Sequence, residues 1–94
     1  MITYTDDITD VVKTIAPELF PRFRYVSACR QRVSGDVHSV IVWGRLPSGA
    51  NSEEEATVEI PADSDETGYA KAVLEGIVKL VKMVGMSTTL VSST

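Results

Sequence analysis

Apolar residues recur along the chain with two different periods. From Thr5 onward Ile8, Val11, Val12, Ile15 and Leu19 fall at helical spacing, with Thr5 or Asp6 as a cap. Asp6, Asp7 and Asp10 suit the positive end of that helix dipole. Pro17 closes the regular turns, and Glu18–Pro21 reads as a connector between two prolines. The pattern then becomes strand-like. Phe23–Val33 and Val37–Leu46 flank the turn signal Ser34-Gly35-Asp36 and read as a hairpin. After the loop Pro47–Asn51 and three glutamates, Ala56–Ile60 alternates as a half-buried strand does, and Pro61 stops it. Asp63 and Glu66 are spaced as a capping box. The helix that follows is predicted over Asp65–Val84, with Gly85 as its stop.

These elements predict an α+β domain: a three-stranded antiparallel meander flanked by an N-terminal helix and a longer C-terminal helix. The 94 residues make one domain, with residues 86–94 as a flexible tail or a short edge strand.

The second helix is the most informative segment. Lys71, Glu75, Lys79 and Lys82 form one narrow charged stripe, and the remaining positions between Tyr69 and Met86 are nearly all apolar or small. A surface helix needs one apolar face of about 100°. Ala70, Val73, Leu74, Ile77, Val81 and Val84 fill that face, which leaves Ala72, Gly76, Leu80 and Met83 as a second apolar strip. Two readings follow: the first helix covers the strip, or the strip is an interface with a second copy or another protein.

The central strand is apolar on both faces. His38, Val40 and Val42 share one; Ile41, Trp43 and Arg45 share the other. The pattern does not select the face the helices cover. An outward Trp43 would sit with Arg45, near Arg24, Arg30 and Arg32, a composition found at interface hot spots. An inward Trp43 would be core, with the arginines paired to Glu55 and Glu59.

Charge narrows the partners. The net charge is −4, which disfavours sequence-independent binding to nucleic acid or attraction to anionic membranes. Glu53, Glu54, Glu55, Asp63, Asp65 and Glu66 concentrate acid after the hairpin, either as a solvated loop and cap or as an acidic surface for a basic groove on a partner. No apolar run is long enough to span a bilayer, and the N-terminus lacks signal-peptide order, so a cytoplasmic location is expected.

Candidates for chemistry are few. His38 is the single histidine, and no nucleophile stands in a recognised setting beside it. Cys29 is the single cysteine and has no CxxC partner, so it reads as buried filler. Asp6, Asp7 and Asp10 lack the glycine and closing glutamate of a calcium loop. No phosphate-binding glycine loop occurs. The expectation is a chain with no catalytic residues, cofactor or metal.

The order helix–three strands–helix resembles the double-stranded-RNA-binding fold. Such modules hold phosphates with a basic cluster at the start of the last helix. Here that position reads Asp63-Ser64-Asp65-Glu66-Thr67-Gly68, with Lys71 as the nearby lysine. In size, acidity and lack of catalytic groups the chain is similar to small phage-encoded inhibitors of host defence complexes, which implies action in a host cytoplasm. The expected function is a non-enzymatic protein-binding module, homodimeric, serving as inhibitor or adaptor. The alternatives are an assembly subunit of a virion or other complex, and a nucleic-acid-binding module.

Overall fold

The computed structural model describes residues 3–20 and 22–92. Pro21, the end of the expected two-proline connector, and Ser93 and Thr94, the end of the expected tail, lie outside them. The elements run β1 (Thr3–Asp7), α1 (Thr9–Ile15), a 3₁₀ turn (Pro17–Leu19), β2 (Tyr25–Arg32), β3 (Val37–Arg45), β4 (Asn51–Pro61) and α2 (Glu66–Ser92). The α+β class holds: a short N-terminal helix, an antiparallel meander and a long C-terminal helix packed on the sheet. The four strands lie in the order β1-β2-β3-β4, each antiparallel to its neighbour.

β1 corrects the expected helix start. Thr5, Asp6 and Asp7 pair with Cys29, Ala28 and Ser27 instead of opening α1. The Asp7 carboxylate accepts from the Thr9 backbone N–H at 2.9 Å and so turns the chain from strand into helix. Thr9 is buried, and its hydroxyl oxygen accepts from the Val26 backbone N–H at 3.1 Å, pinning α1 to β2. The added strand also departs from the helix–three strands–helix order on which the likeness to RNA-binding modules rested.

Both helices cover the same sheet face. Val26 and Ala28 of β2, Val40 and Val42 of β3, and Ala56, Val58 and Ile60 of β4 point into one core with Phe23, Val12, Leu19, Ile77 and Leu80. Gly44 on β3 leaves room for the Phe23 ring, which a Cβ there would strike. The β3–β4 hairpin turns through Gly49 at φ +91°, a conformation glycine adopts without penalty. Its Leu46 N–H donates to Ala50 O at 2.8 Å.

α2 is rotated roughly a quarter turn from the orientation expected, at 100° per residue. Ala72, Val73, Gly76, Ile77 and Leu80 face the sheet, while Leu74 is exposed. The reason is size. A Cβ on Gly76 would stand 2.6 Å from Val42 Cγ2, so the small residues let the helix approach β3 closely. The cap is Asp65, whose carboxylate accepts from the Gly68 N–H at 3.0 Å; Asp63 lies in the preceding turn. α2 continues through Gly85, which has no positive φ, to Ser92.

Candidate functional site

The first candidate surface is the apolar flank between the two helices. On α1, Val12 points into the core, which leaves Val11 and Ile15 outward, with Ile15 49% exposed. On α2, the rotation that buries Ala72, Gly76 and Leu80 turns Leu74 and Val78 out, at 47% and 53% exposure. Ile15, Ala16, Leu74, Ile77, Val78 and Val81 then line one groove of about 310 Å³. Glu18 and Lys82 stand at its edge, one charge of each sign. Exposed aliphatic side chains gathered in a groove with a charged rim are the usual composition of a protein contact.

This placement corrects the interface expected on α2. Ala72 and Leu80 are 3% and 0% exposed, and Gly76 is buried against Val42, so those three serve the fold. Of the expected strip Met83 alone is exposed. On α2, periodicity set Leu74 against the sheet and did not single out Val78, because the spacing of apolar residues does not reveal which of two adjacent strips holds the small residues that must meet the sheet.

The second candidate surface is the sheet face that the helices leave open. Ile41, Trp43 and Arg45 of β3 point there together, as one of the two strand assignments required. The Trp43 indole N–H donates to Asn51 Oδ1 at 3.2 Å, and Arg45 Nε donates to the same oxygen at 3.3 Å. A shallow pocket of about 200 Å³ opens beside them, lined by Cys29, Gln31, Ile41, Trp43, Asn51, Ser52 and Glu55. Burial pushes the Cys29 thiol above its ordinary value of 9.0; the nearby Glu55 carboxylate adds to this, and a backbone hydrogen bond from Ile41 opposes it.

The other arginines are elsewhere. Arg30 lies on the helix side, where Nε donates to His38 Nδ1 at 2.9 Å. Its Nη2 donates to Ala62 O at 3.2 Å and Ser64 O at 3.0 Å, so Arg30 and His38 together hold the β4–α2 turn. Arg24 stacks on Tyr25, and Arg22 pairs with Glu54 at 2.9 Å. The pairing of arginines with Glu55 and Glu59 is not found among the described residues.

The acidic residues do not form one patch. Glu54 turns to the helix side and is taken up by Arg22, while Glu53 and Glu55 are exposed. Asp63, Asp65 and Glu66 lie past the far end of β4, about 20 Å further along the strand at the usual rise per residue. Asp65 is consumed as a cap.

Among the described residues no three His, Cys, Asp or Glu side chains gather as a metal ion requires, and no helix is long and apolar enough to cross a membrane. No protein-family model, curated protein or solved structure matches the chain.

Proposed function

We propose that this chain is a non-enzymatic protein-binding module that works as a homodimer, in the role of inhibitor or adaptor. The observation that carries the reading is the apolar groove between α1 and α2, where Ile15, Leu74, Val78 and Val81 come together. Aliphatic side chains gathered in one groove, rather than scattered singly, mark a contact site. The rim supports a second copy as the occupant. Glu18 and Lys82 are opposite in sign on one groove, so a two-fold contact sets Lys82 of each copy against Glu18 of the other. A non-catalytic role agrees with the occupation of His38, whose Nδ1 accepts from Arg30 and holds a turn.

Light scattering on the purified chain tests this. The wild type is expected at twice the 10.2 kDa chain mass, and Val78→Glu at the chain mass with unchanged circular dichroism. Wild type and Val78→Glu at the same mass would end the reading. Leu80→Glu is no test of it, because Leu80 is core and the variant will unfold.

A further inference from the structure

The open sheet face and the outer edge of β4 meet at one place, and their chemistry selects a partner. β4 is an edge strand. In an antiparallel pair alternate residues direct both backbone groups toward the neighbouring strand. The Ala62 N–H reaches back to Asp36 O at 2.9 Å, continuing the inward parity of Ala56, Val58 and Ile60. Thr57 has the other parity: its carbonyl accepts from Lys79 Nζ at 3.3 Å at the outer edge. Glu55, Thr57 and Glu59 therefore direct their N–H and C=O groups outward, with Lys79 Nζ on the Thr57 carbonyl as a flexible cover that an added strand displaces, and their side chains lie on the open face.

Glu55 is the cross-strand partner of Trp43. The indole leans from β3 toward β4, where its N–H reaches Asn51. Among the described residues the cation–ring contacts are made on Phe20, Phe23 and Tyr25, and the ion pair is Arg22–Glu54. The Trp43 ring and the Glu55 carboxylate thus border one pocket. The chain's own cation nearby, Arg45, is turned to Asn51 Oδ1, and among the described residues neither a cation–ring contact on Trp43 nor an ion pair to Glu55 is found.

We propose that this face docks an extended, arginine-bearing segment of a partner protein, which adds as a strand to the β4 edge and lays one guanidinium between Glu55 and the Trp43 ring. A planar guanidinium matches both surfaces: it bonds a carboxylate in bidentate fashion and stacks on an aromatic face. Strand addition supplies the main-chain bonds and the pocket supplies selectivity. A second copy does not fit here, because two β4 edges would set Glu53, Glu55 and Glu59 against their own kind. This surface is separate from the α1–α2 flank and does not depend on self-association.

Trp43 is the single tryptophan, so its fluorescence reports this site directly. The probe is a short peptide of alternating valine and threonine with one central arginine, compared with the same peptide carrying neutral citrulline instead. The arginine peptide is expected to give a saturable change in emission and to shift the amide resonances of Glu55, Thr57 and Glu59. Citrulline in the peptide, or Glu55→Gln in the protein, should weaken binding at least about tenfold, equivalent to about 1.4 kcal/mol. Val78→Glu should bind the peptide as the wild type does, which separates this site from the dimer flank. No emission change up to about 1 mM peptide, a dissociation constant worth about 4 kcal/mol, overturns the proposal. So does equal binding of the citrulline peptide, or a response to a single-stranded oligonucleotide in place of the peptides.

Discussion

Replacing Gly76 by alanine probes the contact that sets the orientation of α2. Alanine in a helix interior is favoured over glycine by about 1 kcal/mol. Against this, the added Cβ would lie 2.6 Å from Val42 Cγ2 and 3.3 Å from Val42 Cβ. Val42 is fully buried and β-branched, so it has little freedom to turn aside. Overpacking of this kind costs about 1–3 kcal/mol. The net expectation is destabilisation by about 1 kcal/mol, or a Tm lower by about 4–8 °C for a domain of this size. Gly85→Ala is the internal control. It lies in the same helix, but a Cβ there meets nothing within 4 Å, so the variant should gain up to about 1 kcal/mol. Thermal and urea unfolding followed by circular dichroism measure both. A Val42→Ala background should remove the penalty of Gly76→Ala, as a non-additive double mutant. If Gly76→Ala is as stabilising as Gly85→Ala, the helix does not approach β3 through Gly76 and the account of the sheet-facing side is wrong.

Arg30→Ala should cost about 2 kcal/mol in urea unfolding, because it leaves His38 Nδ1, Ala62 O and Ser64 O without their donor; a neutral result would mean that water replaces the guanidinium fully. Cys29 is 4% exposed with its thiol pushed up by burial, so native protein at pH 8 should be alkylated far more slowly than urea-unfolded protein, and Glu55→Gln should speed the native reaction modestly. Reaction of native Cys29 at the unfolded rate would show that the open face is not packed as described. Asp7 is held below its ordinary 3.8 by hydrogen bonds from the Thr9 side chain and backbone, with Arg45 a smaller contributor and slight burial opposing. Its contribution is complete above the ordinary value and is lost as pH falls through the depressed one, so Asp7→Asn should flatten the acid limb of a Tm–pH curve. An unchanged acid limb would remove Asp7 from the account of how α1 begins.

The three main strands as an antiparallel meander followed from period-two alternation, turn residues and short connections, because those signals are local. β3, Val37–Arg45, falls within the expected Val37–Leu46, but β4 begins at Asn51, five residues before the expected Ala56, and takes in the three glutamates, whose pairing with β3 alternation did not show. β1 did not follow. Thr5-Asp6-Asp7 carries good capping residues, and its strand conformation depends on backbone pairing with β2, which leaves no trace in a five-residue segment. The helix faces failed for a related reason. Gly76 does permit close approach, as its size suggested, but the element that approaches is β3; Ala72 is buried on the same side of the helix. The covered sheet face was undecidable from apolar content. It is settled by the helices packing on Val40 and Val42, which leaves Trp43 to bond Asn51 across the open side. Arg30 illustrates the same limit: its strand parity with Val40 separates it from Trp43, and register rather than composition decides this.

Two copies are proposed to meet through the α1–α2 groove. Zero-length carbodiimide cross-linking of a mixture of ¹⁴N and ¹⁵N chains tests it most directly, because a bond between a light and a heavy peptide can form only between copies. Mixed-isotope links joining Lys82 to Glu18 are expected. A dimer whose mixed links instead run through β4 and the open sheet face, with Lys82–Glu18 links confined to single-isotope pairs, would contradict it.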